Sequence, residues 1–157
     1  MRASPDQQPE YLRGLNEAQA SAVTHWGAPL LILAGAGSGK TRVIIHKIAW
    51  LIREKRLDPR SILAVTFTNK AAGEMRSRAS DLVEGGSRAM IRTFHSFGAW
   101  MLRRNHEAAG LPSGFTIYDD DDVVSLLKSL YPKEQKSTLR RWARLISRAK
   151  DYALSPE

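Results

Sequence analysis

The sequence predicts an α/β fold, a parallel sheet with crossover helices, followed by an all-helical part. Three observations support this. Short continuous apolar runs recur at Leu30 to Ala34, Ile62 to Phe67 and Ala89 to Thr93. Helix-like stretches separate them, the pattern of parallel strands buried on both faces. Beyond Thr93 the strand signal fades and only helical periodicity remains.

The first run leads to a helix over 41–55, where Ile44, Ile48, Leu51 and Ile52 form a stripe before the turn at Leu57-Asp58-Pro59. With the run at Ile62 this predicts a βαβ unit. A second crossover helix starts at Thr68 or Asn69, carries Ala72, Met75, Ala79 and Leu82 on one face, and closes at Gly85-Gly86. Farther on, Val123, Leu126, Leu127 and Leu130 recur at helical spacing, and Asp119 to Asp122 precede them at the positive end of the helix dipole. Leu139, Trp142, Ile146 and Ala149 repeat the pattern, with Arg140, Arg141, Arg144 and Arg148 on the other side.

Composition narrows the function classes. The 157 residues, 43% hydrophobic, suit one compact domain or one domain with part of an insertion. No apolar run approaches the ~20 residues of a membrane helix, and the start shows no secretory pattern, so a soluble, cytoplasmic protein without a membrane partner is expected. There are no cysteines, which excludes disulfides, thiolate metal sites and cysteine nucleophiles, and four scattered histidines predict no metal cluster. The net charge of +8 favours a polyanionic partner, since neutralised phosphates release counterions. Between Lys133 and Lys150 seven basic residues face the single acid Glu134. Such a face is more often solvated than bound.

Chemistry concentrates at Ala34-Gly35-Ala36-Gly37-Ser38-Gly39-Lys40-Thr41, between an apolar run and a helix. Glycines there let successive N–H groups turn inward on a phosphate, and the helix N-terminus adds positive potential. Lys40 is expected to pair with the β- and γ-phosphates, and the Thr41 hydroxyl to hold Mg²⁺. This is the phosphate loop of a P-loop NTPase, with Ala34 where the strict pattern has glycine. A dinucleotide fingerprint is disfavoured, because Gly35, Gly37 and Gly39 are spaced G-x-G-x-G and not G-x-G-x-x-G.

Four blocks in order extend the argument: Leu15-Asn16 with Gln19, Ala34 to Arg42, Ile62 to Met75, and Ile91 to Ser96. Together they resemble the Q motif, phosphate loop, motif Ia and motif Ib of superfamily 1 DNA helicases of the UvrD, Rep and PcrA group, in which alanine at the Ala34 position is usual. The resemblance implies a RecA-like sheet, with 1–92 as the N-terminal part of the first ATP-binding domain and 93–157 as part of an all-helical insertion subdomain. It implies ATP and Mg²⁺ as cofactors, single-stranded and duplex DNA as partners, and 3′ to 5′ translocation. Gln19 would then read the adenine edge and Arg42 stack on the base, with Gly35, Ala36, Gly37, Ser38, Gly39, Lys40 and Thr41 around the phosphates. Thr66, Phe67, Thr68, Asn69, Thr93 and His95 would face single-stranded DNA.

Blander readings stand beside these. Periodicity alone makes Phe67 a core aromatic, and His95 a satisfied histidine at a strand end with no nucleophile beside it. Phe115 to Tyr118 before four aspartates could pass for a strand ending at a metal ligand, but the aspartates suit a helix N-terminus better. No Asp-Glu pair follows an apolar strand, and no arginine finger is assignable, so the chain is expected to stop short of the hydrolytic machinery and to lack turnover alone. A non-enzymatic nucleotide or nucleic-acid binding module is the alternative, with a P-loop kinase behind it.

Overall fold

The computed structural model describes residues 9–155. Two compact units divide after Arg104. The first opens with a 3-10 turn, Glu10–Leu12, and helix α1, Glu17–Thr24. It continues through α2 (Lys40–Arg53), β1 (Leu63–Thr66), α3 (Asn69–Leu82), β2 (Met90–Thr93) and α4 (Phe94–Arg104). The second contains α5 (Asp120–Leu130) and α6 (Lys136–Asp151).

Local chemistry sets most boundaries. Asn16 caps α1 in a reciprocal box with Gln19, and Asp119 does the same for α5 with Asp122. The Thr68 hydroxyl accepts the Ala71 N–H at 3.1 Å and starts α3. Asp119 to Asp122 therefore open a helix, and Phe115 to Tyr118 form no strand. Helix α3 stops at Leu82, short of Gly85-Gly86. Those glycines instead turn the chain into a 3-10 segment, where a Cβ on Gly86 would lie 2.0 Å from the Ala79 carbonyl oxygen.

The strands β1 and β2 pair in parallel, Leu63 opposite Met90 through Thr66 opposite Thr93. Helix α3 is the crossover, so β1, α3 and β2 form the βαβ unit. The unit expected from Leu30 to Ala34 does not form: that segment has no ladder partner among the described residues and is exposed throughout. A strand exists by pairing, and here β1 pairs with β2. Leu31 and Leu33 are 80% and 87% exposed, whereas Leu30 and Ile32 turn toward a concavity shared with Ile44 and β1.

Ile45 and Ile48 of α2, Met75 and Ala79 of α3, and Ile62, Ala64 and Ile91 on the strand side make the main core. A second cluster joins Tyr11, Val23, Val43 and Trp50. The stripe of α2 is thus rotated from the sequence expectation, with Ile45 inside and Ile44 40% exposed. In α5 the buried positions are Val124 and Leu127, packed on Leu139 of α6, while Leu126 and Leu130 face outward. Arg140, Arg141, Arg144 and Arg148 form an exposed face of α6.

Candidate nucleotide and nucleic-acid site

The glycine-rich loop expected to bind phosphate lies immediately before α2 and is shaped by two left-handed glycines, Gly37 at φ 75° and Gly39 at φ 86°. At Gly39 both backbone and space demand glycine, because a Cβ would sit 2.7 Å from Gln19 Nε2. The Ser38 hydroxyl donates to the Gly35 carbonyl at 2.8 Å and tightens the turn. Lys40 folds back over the loop, its Nζ donating to the carbonyls of Ala34 at 2.8 Å and Gly35 at 2.7 Å. No side chain caps α2, so its first-turn N–H groups remain available to an anion. Thr41 is exposed beside them. Left-handed glycines, an ammonium held over the loop and an uncapped helix start fit a nucleotide phosphate.

Two further residues from the sequence reading border the loop. Gln19 accepts the Asn16 N–H through Oε1 at 3.1 Å and donates through Nε2 to the Ser38 carbonyl at 3.0 Å. Its amide is engaged at both ends, clamping α1 to the loop. Arg42 donates from Nη2 to the Arg13 carbonyl at 3.3 Å, so its guanidinium lies along the segment before α1. Neither contact to the 13–19 segment was legible from spacing.

Beneath the loop helix, His46 Nδ1 lies 2.7 Å from the Tyr11 carbonyl oxygen, and the Tyr11 hydroxyl donates to Glu54 at 2.7 Å. Burial, and then the hydrogen bond and charge of Glu54, push the Tyr11 phenol up to about 12. Lys47 donates to the His25 carbonyl and sits 4.1 Å from the Trp50 ring centroid. Burial, helped by the charge of Lys55, lowers its pKa.

The second group gathers at the carboxyl ends of the two strands. Phe67 follows Thr66 and is 86% exposed, which excludes the core-aromatic reading. Phe94 follows Thr93, is half exposed, and its ring centroid lies 5.4 Å from that of Phe67. Phe94 lies inside the Ile91 to Ser96 block without an expected role of its own; its signal is its position, one residue past a strand end like Phe67. Thr68 is spent on capping α3, Asn69 is exposed in the first turn, and Thr66 is half-buried. Thr93 is buried, its hydroxyl accepting the Ser96 N–H at 3.1 Å, while His95 is exposed on α4. Among the described residues no cluster of histidine and acidic side chains could hold a metal, and no helix is long and apolar enough to cross a membrane.

Comparison with known proteins adds to this geometry. The family model for the UvrD/REP helicase N-terminal domain matches residues 15–157. The chain is 44% identical over 143 residues to the ATP-dependent DNA helicase Rep of Buchnera aphidicola, covering 90% of this chain and 21% of that protein. It is 44% identical over 150 residues to DNA helicase II of Escherichia coli, covering 92% and 21%. With the ATP-dependent DNA helicase PcrA of Bacillus subtilis it shares 42% over 153 residues, covering 94% and 21%. The chain thus spans about a fifth of the length of the curated relatives it matches.

Proposed function

Because the chain belongs to the UvrD/REP helicase N-terminal domain family, we propose that it is the ATP-binding portion of an ATP-dependent DNA helicase that moves 3′ to 5′ on single strands and unwinds duplexes. In this reading 1–92 begins a RecA-like domain and 93–157 is part of a helical insertion, in a protein working in the cytoplasm. The observation that carries the reading is the Lys40 ammonium within 2.8 Å of two loop carbonyls at the uncapped start of α2.

Each residue then has a task. Lys40 exchanges the carbonyls of Ala34 and Gly35 for phosphate oxygens, and backbone N–H groups from Gly35 to Thr41 orient the same phosphates. The exposed Thr41 hydroxyl would hold Mg²⁺ when the ion is bound with the nucleotide, and the cation would screen phosphate charge. Reading adenine requires Gln19 to release the Ser38 carbonyl, and stacking requires Arg42 to leave that of Arg13, so nucleotide binding and the 13–19 segment are coupled. Phe67 and Phe94 offer a ring surface to bases, while Thr66, Thr68, Asn69, Thr93 and His95 supply polar contacts along the strand ends.

Lys40→Ala tests the reading. A charge-assisted contact of about 1.5 to 3 kcal/mol is lost, which lowers nucleotide affinity about ten- to a hundredfold. Titration with a fluorescent ATP analogue measures it, and undiminished binding by the folded variant would sink the assignment.

A further inference from the structure

Away from the phosphate loop, the first unit holds a concavity of about 650 Å³ lined by five arginines, Arg60, Arg76, Arg88, Arg92 and Arg104, together with Trp100. No carboxylate lines it among the described residues. Among the described residues none of the five guanidiniums has an acidic side chain within 4.0 Å; Arg78 pairs with Glu74 elsewhere on α3.

The residues come from five places in the chain and are held by different means. Alternation along β2 buries Ile91 and Thr93 and sends Arg92 to the opposite face. Arg92 and Arg104 lie 5.8 and 5.9 Å from the Trp100 ring centroid, and Phe97 stacks on Trp100 at 5.8 Å. Cation–π contact fixes two planar guanidiniums without neutralising them. Arg76 donates to the Ile91 carbonyl at 2.7 Å and keeps its charge. Gathering five like charges without a counter-charge is unfavourable unless an anion occupies the space between them.

We propose that this arginine concavity binds the phosphodiester backbone of a nucleic acid, as a second contact separate from the aromatic pair at the strand ends. A single free phosphate carries too little charge to match five guanidiniums, whereas a backbone brings one charge per nucleotide in series. Guanidinium forks match phosphate oxygens in pairs, and the Trp100 ring adds the aromatic surface that such grooves combine with arginine. The choice of nucleic acid over an acidic peptide rests on the DNA reading above.

The test uses the 157-residue chain and a fluorescein-labelled oligothymidine strand, with anisotropy read across a salt series. Arg60→Gln, Arg88→Gln, Arg92→Gln and Arg104→Gln are combined, leaving Arg76 to hold Ile91. The log-log salt slope is expected to fall by about 0.7 per lost contact, up to about 2.8 for the set. The matching lysine set retains the slope, which separates lost charge from lost fold, and circular dichroism checks both. Phe67→Ala lowers affinity by the same factor at every salt concentration and leaves the slope.

An unchanged slope in the folded glutamine set, with Phe67→Ala still weakening the complex, overturns the concavity and leaves the DNA reading intact. If the unaltered chain fails to bind the strand at low salt, the concavity proposal falls whether or not ATP binds. Displacement by polyglutamate as effective as by unlabelled strand assigns the site to an acidic peptide and overturns the proposal. Displacement by inorganic phosphate at matched ionic strength makes it a single-anion site and does the same.

Discussion

The ring centroids of Phe67 and Phe94 lie 5.4 Å apart at an interplanar angle of 45°, although the residues are far apart in sequence. Register explains the contact: Thr66 pairs with Thr93, so the next residue of each parallel strand emerges at the same sheet end. If bases stack there, Phe67→Ala and Phe94→Ala each weaken single-strand binding by about 1 to 3 kcal/mol. The double variant loses less than the sum, because each ring shields part of the other. Anisotropy titrations at one salt concentration measure this, and normal binding by a folded Phe67→Ala chain removes the strand-end assignment.

Gly39 predicts a different kind of loss. Gly39→Ala forces a left-handed conformation costing about 1 to 2 kcal/mol, and its methyl displaces the Gln19 amide from Ser38. Gly35→Ala, with open space around the added carbon, changes stability by less than roughly 0.5 kcal/mol. Urea unfolding of the pair checks the contrast; equal stabilities mean that the loop does not hold the described shape.

Alkaline pH isolates the buried tyrosine. Since the folded pKa of Tyr11 is raised from 10.0 to about 12, its contribution to stability is complete below pH 10.0 and is lost as pH rises toward 12. The depressed Lys47 acts oppositely, its contribution growing as pH climbs from its folded value to 10.5. Comparing the chain with Tyr11→Phe cancels the lysine. The variant is expected to be less stable at neutral pH, with the difference narrowing between pH 10.0 and about 12; a constant difference contradicts a phenol held neutral by burial and by its hydrogen bond to Glu54.

Turnover is the fourth expectation. On the proposed helicase reading the attacking water is activated by a carboxylate of an Asp-Glu pair, and these 157 residues contain no such pair. The purified chain with ATP, magnesium and single-stranded DNA is expected to release no phosphate above the rate of its Lys40→Ala variant. Robust DNA-stimulated hydrolysis would show that the chemistry lies within this segment.

Features made by neighbours in sequence were legible without the fold. The glycine-rich turn before α2, the Thr68 cap of α3 and the Asp119 box of α5 are closed by bonds spanning a few residues, so residue type and spacing suffice. The face of α3 was also readable, since Ala72, Met75 and Ala79 are small or apolar amid charged neighbours.

Pairing and partner choice required the tertiary structure. Leu30 to Ala34 has the composition of a buried strand yet stands unpaired, because a ladder depends on what lies alongside and composition carries no record of that. Helical spacing marks an apolar sector in α2 and α5, but the packed neighbour selects Ile45 over Ile44 and Val124 over Val123. By itself the sequence determined a glycine-rich turn, the helix that follows it and the order of the motifs, all written in short-range backbone chemistry. Only the tertiary structure decided that Phe67 meets Phe94, that Gln19 clamps Ser38, and that five scattered arginines share one concavity, because each is a contact between segments whose separation along the chain says nothing about their distance in space.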